Sequence, residues 1–303
     1  MLFQENADTP YAVMRIEIPE IHSDFAGFNE IANISRRLQN ARNGAIVFDF
    51  RHCAFFDGNM TAPLQIVIDR FAERLARRSV NVQFEHLSQD VEHALRRNHF
   101  LRSYGYTPLP DYDRTSLPLR HFYCYDRSAY YPYLGVLVKM IEQPKMTPAL
   151  TKELQRSLFE IMENACGHAR SSVGFYCCTQ YFPSDQKLRF SFSDGGVGIR
   201  KNVNDFTGRN FTDTSAIEWA IKHGNSTKPT EQKIPGGLGL GIVRQFVSLN
   251  RGKLCVISGD GFYNVVPEEP PRVLHNNLPG TTIHLEINTA DANTYYLGTG
   301  EKL

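Results

Sequence analysis

Residues 236–242 read Gly-Gly-Leu-Gly-Leu-Gly-Ile, which puts glycines at 237, 239 and 241 with a single leucine in each gap. Glycine in alternation is poor material for the interior of a helix or strand, because it loses the most backbone freedom on ordering and has no side chain to pack. The run therefore marks a loop made for close backbone approach, and the residues after it have the spacing of a helix that ends near Asn250. Backbone amides left free at the opening of such a helix, with its dipole behind them, favour phosphate.

Other segments of the second half are as specific. Leu154, Leu158, Ile161, Met162, Ala165 and Ala169 fall on one apolar stripe of a helix expected over Leu150 to Ala169. At about 100° per residue, Glu160, Asn164 and His168 form an adjacent stripe, so a carboxylate and an amide share one edge of a core-facing helix. Two strand-like segments follow, Val173 to Tyr181 and Lys187 to Ser193, and the second runs into Asp194-Gly195-Gly196-Val197-Gly198. Near the end, Pro279-Gly280-Thr281-Thr282 is expected to open a strand over 283–287.

In this order, the motifs resemble those of the GHKL ATPase superfamily, which includes gyrase B, MutL, the heat-shock chaperone ATPases, the sensor histidine kinases and the anti-sigma-factor serine kinases. The resemblance implies a Bergerat-type α/β sandwich over residues 141–303 that binds ATP and Mg2+. Carried over by position, it makes Asn164 the amide that coordinates Mg2+ and Glu160, one turn earlier, the group that orients or deprotonates the attacking water. Magnesium is a hard ion that takes oxygen ligands and keeps several waters, and phosphoryl transfer asks mostly for positioning, so both roles are chemically sound. Asp194 would accept the exocyclic amine of adenine, as a carboxylate can. Gly196 and Gly198 would let the backbone approach base and sugar. Gly237, Leu238, Gly239 and Gly241 would cradle the triphosphate, and Thr281 would support the water network around adenine. The polar stretch 202–235 corresponds to the family's ATP lid, with Lys222, Lys228 and Lys233 as candidates to reach the γ-phosphate; His168 reads as a packing residue.

The first half alternates strand patterns (Val13 to Ile18, Ala45 to Phe50, Val80 to Phe84) with helical ones over 25–41, 61–78 and 90–99, which argues for an α/β layer. With FDFRHCAFFDG between a strand and a helix, residues 10–103 resemble the STAS domains of bacterial anti-sigma-factor antagonists. In that family an Asp-Ser-Ser-Gly turn carries a phosphoacceptor serine. Here the turn reads Asp57-Gly58-Asn59-Met60, with Asn59 at the acceptor position, so docking to a partner is the expected role. The expected division is a STAS-like domain over 1–103, an ordered Pro- and Tyr-rich connector over 104–140 with one or two short strands and no long helices, and the ATPase domain over 141–303.

Composition narrows the rest. Lys and Arg number 33 against 32 Asp and Glu, so no cationic excess is available to hold nucleic acid. No apolar run approaches the ~18 residues of a membrane span, and a cytoplasmic protein is expected. The six cysteines form no Cys-x-x-Cys pair, so a zinc site is not expected. Two uses of ATP follow from the resemblance. The first is slow hydrolysis coupled to lid closure, a switch in how a protein partner or a second copy is held; the alternative is a serine kinase acting on a STAS-domain partner. A histidine kinase needs an acidic residue after its phosphoacceptor, whereas His93 and His99 precede Ala94 and Phe100.

Overall fold

The computed structural model describes residues 13–41, 44–75, 80–125, 127–141, 145–167, 169–222 and 240–298. Strands β1 (Met14–Glu17), β2 (Ala45–Asp49) and β3 (Asn81–Glu85) lie parallel in that order, with the most apolar of them, β2, in the centre. The crossovers are α1 (Phe25–Asn40) and α2 (Thr61–Arg74), and α3 (Gln89–Arg97) follows β3. Helix α1 starts where the Asp24 side chain accepts the amide of Gly27, and α3 where Ser88 accepts that of Val91.

The segment expected to be an ordered connector with one or two short strands joins the larger sheet. It supplies an edge strand, β4 (Ser116–Phe122), and a helix, α4 (Tyr130–Met140). Pro132 does not prevent that helix, because it sits in the first turn, where its missing amide would have had no intrahelical partner. Then come β5 (Lys145–Met146), α5 (Pro148–Gly167), β6 (Phe175–Phe182), β7 (Lys187–Asp194), α6 (Gly198–Thr207), α7 (Asp213–Ile221), α8 (Gly241–Leu249), β8 (Lys253–Val266), β9 (Arg272–Asn288) and β10 (Thr294–Tyr295). The five-stranded sheet runs β4-β6-β7-β9-β8, antiparallel at every step, and β5 pairs with β10.

Alternation along the strands sends their side chains to two different environments. Leu188, Phe190 and Phe192 of β7 point to one face and share a core with Leu154, Leu158 and Ile161 of α5 and Val243 and Phe246 of α8. The other face is covered by the first half of the chain, with α1 against β9 and α2 against β6 and β7. A second core joins Ile16, Phe28, Ile31 and Phe48 to Ile257, Phe262, Leu274 and Leu278 of β8 and β9. Helices α1 and α2 are thus enclosed between two sheets, and the chain is mixed α/β. Among the described residues no helix is long and apolar enough to cross a membrane.

Strands β8 and β9 exceed what the sequence pattern suggests. Pro279 and Gly280 do not open a strand; they lie within β9, where its register with β8 shifts around Gly259. Beyond that kink the hairpin reaches α1. The His275 amide donates to Asn29 Oδ1 at 2.8 Å, and the Arg272 guanidinium lies 3.4 Å from the centre of the Phe25 ring.

Candidate functional site

Strand β7 ends on Asp194, and pairing decides what stands beside it. Asp194 is opposite Thr281 on β9, and Thr281 is opposite Ser258 on β8, so three neighbouring strands present these residues on one face of the sheet, the face that carries α5. Asp194 is 4% exposed. Its Oδ1 accepts the Gly196 amide at 2.8 Å, and the Thr281 amide also donates to the carboxyl. Burial outweighs both bonds and pushes Asp194 up to about 7. A carboxylate offers about four acceptor positions, so two backbone donors leave capacity for an outside amine.

Ser258 knits the cluster together. Its hydroxyl donates to the Gly280 carbonyl at 2.9 Å, accepts the Ile199 amide at 2.9 Å, and lies 3.4 Å from Thr281 Oγ1. Sequence reasoning missed this residue. The available signal was the run Ser258-Gly259-Asp260-Gly261, which breaks an apolar strand at the level of Thr281.

The glycines of this loop serve the protein's own packing first. A Cβ on Gly196 would fall 2.0 Å from the Ala169 carbonyl oxygen, and one on Gly198, whose φ is +79°, would press on Ser258 Oγ at 2.9 Å. The Val197 amide also donates to Ala169 O at 2.8 Å. The end of α5 is therefore fastened to the loop that follows Asp194. Glu160 and Asn164 are both half-buried on α5, beside the buried stripe of Leu154, Leu158, Ile161, Met162 and Ala165, as their spacing implied. Glu160 Oε1 lies 3.7 Å from Arg156 Nε, a solvent-exposed contact of small energetic weight.

Asp194, Gly196, Gly198 and Thr281 thus come together, with Asn164 and Glu160 farther back along the attached helix. Gly241 is the first residue of α8. Gly237, Leu238 and Gly239 lie outside the described residues, as do His168, Lys228 and Lys233. The stretch 202–235 is largely helical over its described part, 202–222. Residues up to Ile221 belong to α6 and α7, which pack together and bury Val203, Ala216 and Ile217. Those apolar positions are thinly spread in a polar stretch, and the Thr212–Ser215 capping box that starts α7 holds the second helix in place. Lys222 follows directly on α7.

On the opposite face of the sheet lies the turn Asp57-Gly58-Asn59-Met60. Asn59 is fully buried and donates to Ser191 Oγ at 2.8 Å and Ser23 Oγ at 2.9 Å. The Gly58 amide donates to Gln180 Oε1 at 2.7 Å. His284, against the same turn, is pushed down to about 4 by burial and is neutral at ordinary pH.

Among the described residues no group of three or more His, Cys, Asp or Glu side chains comes together to hold a metal. No family model matches the chain, and no curated protein does.

Proposed function

We propose that the second half of the chain is a Mg-ATP-binding domain of the GHKL type, hydrolysing ATP slowly and using nucleotide-dependent closure to change how a protein partner is held. The observation that carries the reading is the Asp194 carboxyl: buried, at the end of a central strand, hydrogen-bonded by the backbone amides of Gly196 and Thr281, and with acceptor capacity left for the adenine amine. Supporting it is the order of elements around that carboxyl. A helix with a carboxylate and an amide on one edge precedes it, a loop rich in glycine follows it, and Gly280-Thr281 stands beside it.

In this reading Asn164 is the protein ligand to Mg2+, whose charge would offset that of the triphosphate, and Glu160 aligns water. Gly241 at the start of α8, together with Gly237, Leu238 and Gly239 earlier in the sequence, would cradle the phosphates. The first half acts as a STAS-like docking layer held in cis. The alternative, a serine kinase for a STAS partner, has no acceptor at this chain's own turn, where Asn59 is buried in hydrogen bonds to Ser23 and Ser191. Titration of the purified chain with ATP and GTP, beside Asp194→Asn, tests the assignment: ATP should bind in preference to GTP, and the substitution should weaken ATP. Equal binding of both nucleotides, unaffected by the substitution, sinks it.

A further inference from the structure

Gly195, at the position between Asp194 and Gly196, is buried beneath a residue of the first half. A Cβ there would fall 2.4 Å from Val173 Cγ2 and 3.2 Å from Arg70 Cδ. Arg70 is on α2, and its guanidinium pairs with Glu73 one turn later and lies 3.5 Å from Ser172 Oγ. Ser172 in turn donates to Glu73. The segment 169–174 joins α5 to β6, and it also touches the loop after Asp194, since the Gly195 amide donates to the Gly174 carbonyl at 3.4 Å. Arg70 and Glu73 therefore hold both stretches of backbone that meet at Asp194, and they do so from outside the domain that contains it.

We propose that Arg70 is a positioning residue of the nucleotide site, supplied in cis by the first half of the chain. Its methylenes back the Gly195 peptide, and its ion pair with Glu73 anchors Ser172. The loop that aims Asp194 and Gly196 is thereby fixed before nucleotide arrives, which lowers the ordering cost of binding. The same contact couples the two halves: whatever shifts α2 shifts the adenine end of the site, and nucleotide bound there resists movement of α2. This inference rests on the reading of the Asp194 cluster as an adenine site.

The test uses the full chain and the variants Arg70→Ala, Arg70→Lys and Glu73→Gln. Arg70→Ala should weaken ATP binding about tenfold, Glu73→Gln should weaken it in the same direction, and Arg70→Lys, which keeps the methylenes and the cation, should restore most of the affinity. Because an exposed ion pair contributes little to global stability, Tm should shift by no more than about 2 °C, which separates positioning from general destabilisation. ATP affinity of Arg70→Ala within about twofold of wild type overturns the proposal. If wild type binds no adenine nucleotide, the adenine reading has failed, and hydrogen exchange of the nucleotide-free protein decides the role of Arg70. Faster exchange across 169–174 and 194–198 in Arg70→Ala upholds the clamp, and unchanged exchange overturns it.

Discussion

Asp57 Oδ1 lies 2.9 Å from Arg189 Nη1, an ion pair that joins the turn after β2 to strand β7 of the other sheet. The Asp57 side chain is 1% exposed and that of Arg189 15%, so the pair is shielded from water. Asp57 also accepts from the amide and the hydroxyl of Ser23, and Arg189 donates to Glu286 at 3.0 Å. In a free-standing sheet this face would be solvated. Here Arg189, Ser191 and Gln180 are met by Asp57, Asn59 and the Gly58 amide of the first half, so the two halves share an interior.

Removal of one partner leaves the other charge buried. Asp57→Ala should cost about 3–5 kcal/mol, whereas breaking the exposed pair Arg15–Glu85 should cost under about 1 kcal/mol. Denaturant melts of both variants measure this. Equal costs would mean that the interface does not hold in solution. The melt should remain a single transition in wild type, because the second core is shared between the halves.

Asn59→Ser introduces a hydroxyl at the one position where the STAS resemblance expects a phosphoacceptor, yet the position is fully buried, away from any phosphate donor in solution. Incubation of this variant with Mg-ATP followed by intact-mass measurement should show no added phosphate. Phosphate on residue 59 would revive the kinase reading.

Much of this organisation was legible in the residues, and what was not has physical causes. Helices α1, α2 and α5 follow from apolar residues at helical spacing, and strands β2, β6 and β7 from short strand-like runs that are buried on both faces. Helix α4 was hidden by Pro132 and its neighbouring tyrosines, which signal a loop until the proline is placed in a first turn. Strand β9 was cut short at Pro279 and Gly280, because a proline tolerated at a register shift cannot be told from one that ends a strand. The docking of the halves was not legible. Arg189, Ser191, His284 and Glu286 alternate with apolar residues as a solvent-facing row would, and only the partner turn makes them interior. Asp194 stood out because its neighbours are glycines, and Ser258 did not because a serine in a strand carries no signal alone.

Proton linkage at Asp194 gives a signature that few residues share. Between the ordinary value of 3.8 and about 7 the folded chain keeps a proton that the unfolded chain has lost. The residue's contribution to stability therefore falls as pH rises through that window and is constant above it. An amine donated by adenine favours the ionised carboxyl, so ATP affinity should rise between about pH 6 and pH 8. Calorimetric titration across that range should show the rise in wild type and lose it in Asp194→Asn. The two proteins keeping parallel profiles would remove Asp194 from the site.

The roles on α5 separate in kinetics. Glu160→Gln should bind ATP with near wild-type affinity and lose at least about a hundredfold in phosphate release, the usual loss when a positioned base is removed. Asn164→Ala should lose the Mg-dependent part of ATP affinity while retaining binding of nucleotide without metal. Both variants behaving alike would show that the two residues do not divide metal and water between them.

The most direct test of the account is a calorimetric titration of the wild-type chain with Mg-ATP, repeated with Asp194→Ala. The account predicts saturable binding of one ATP per chain, weakened by at least about tenfold in the variant. A wild-type chain that takes up no adenine nucleotide would contradict it.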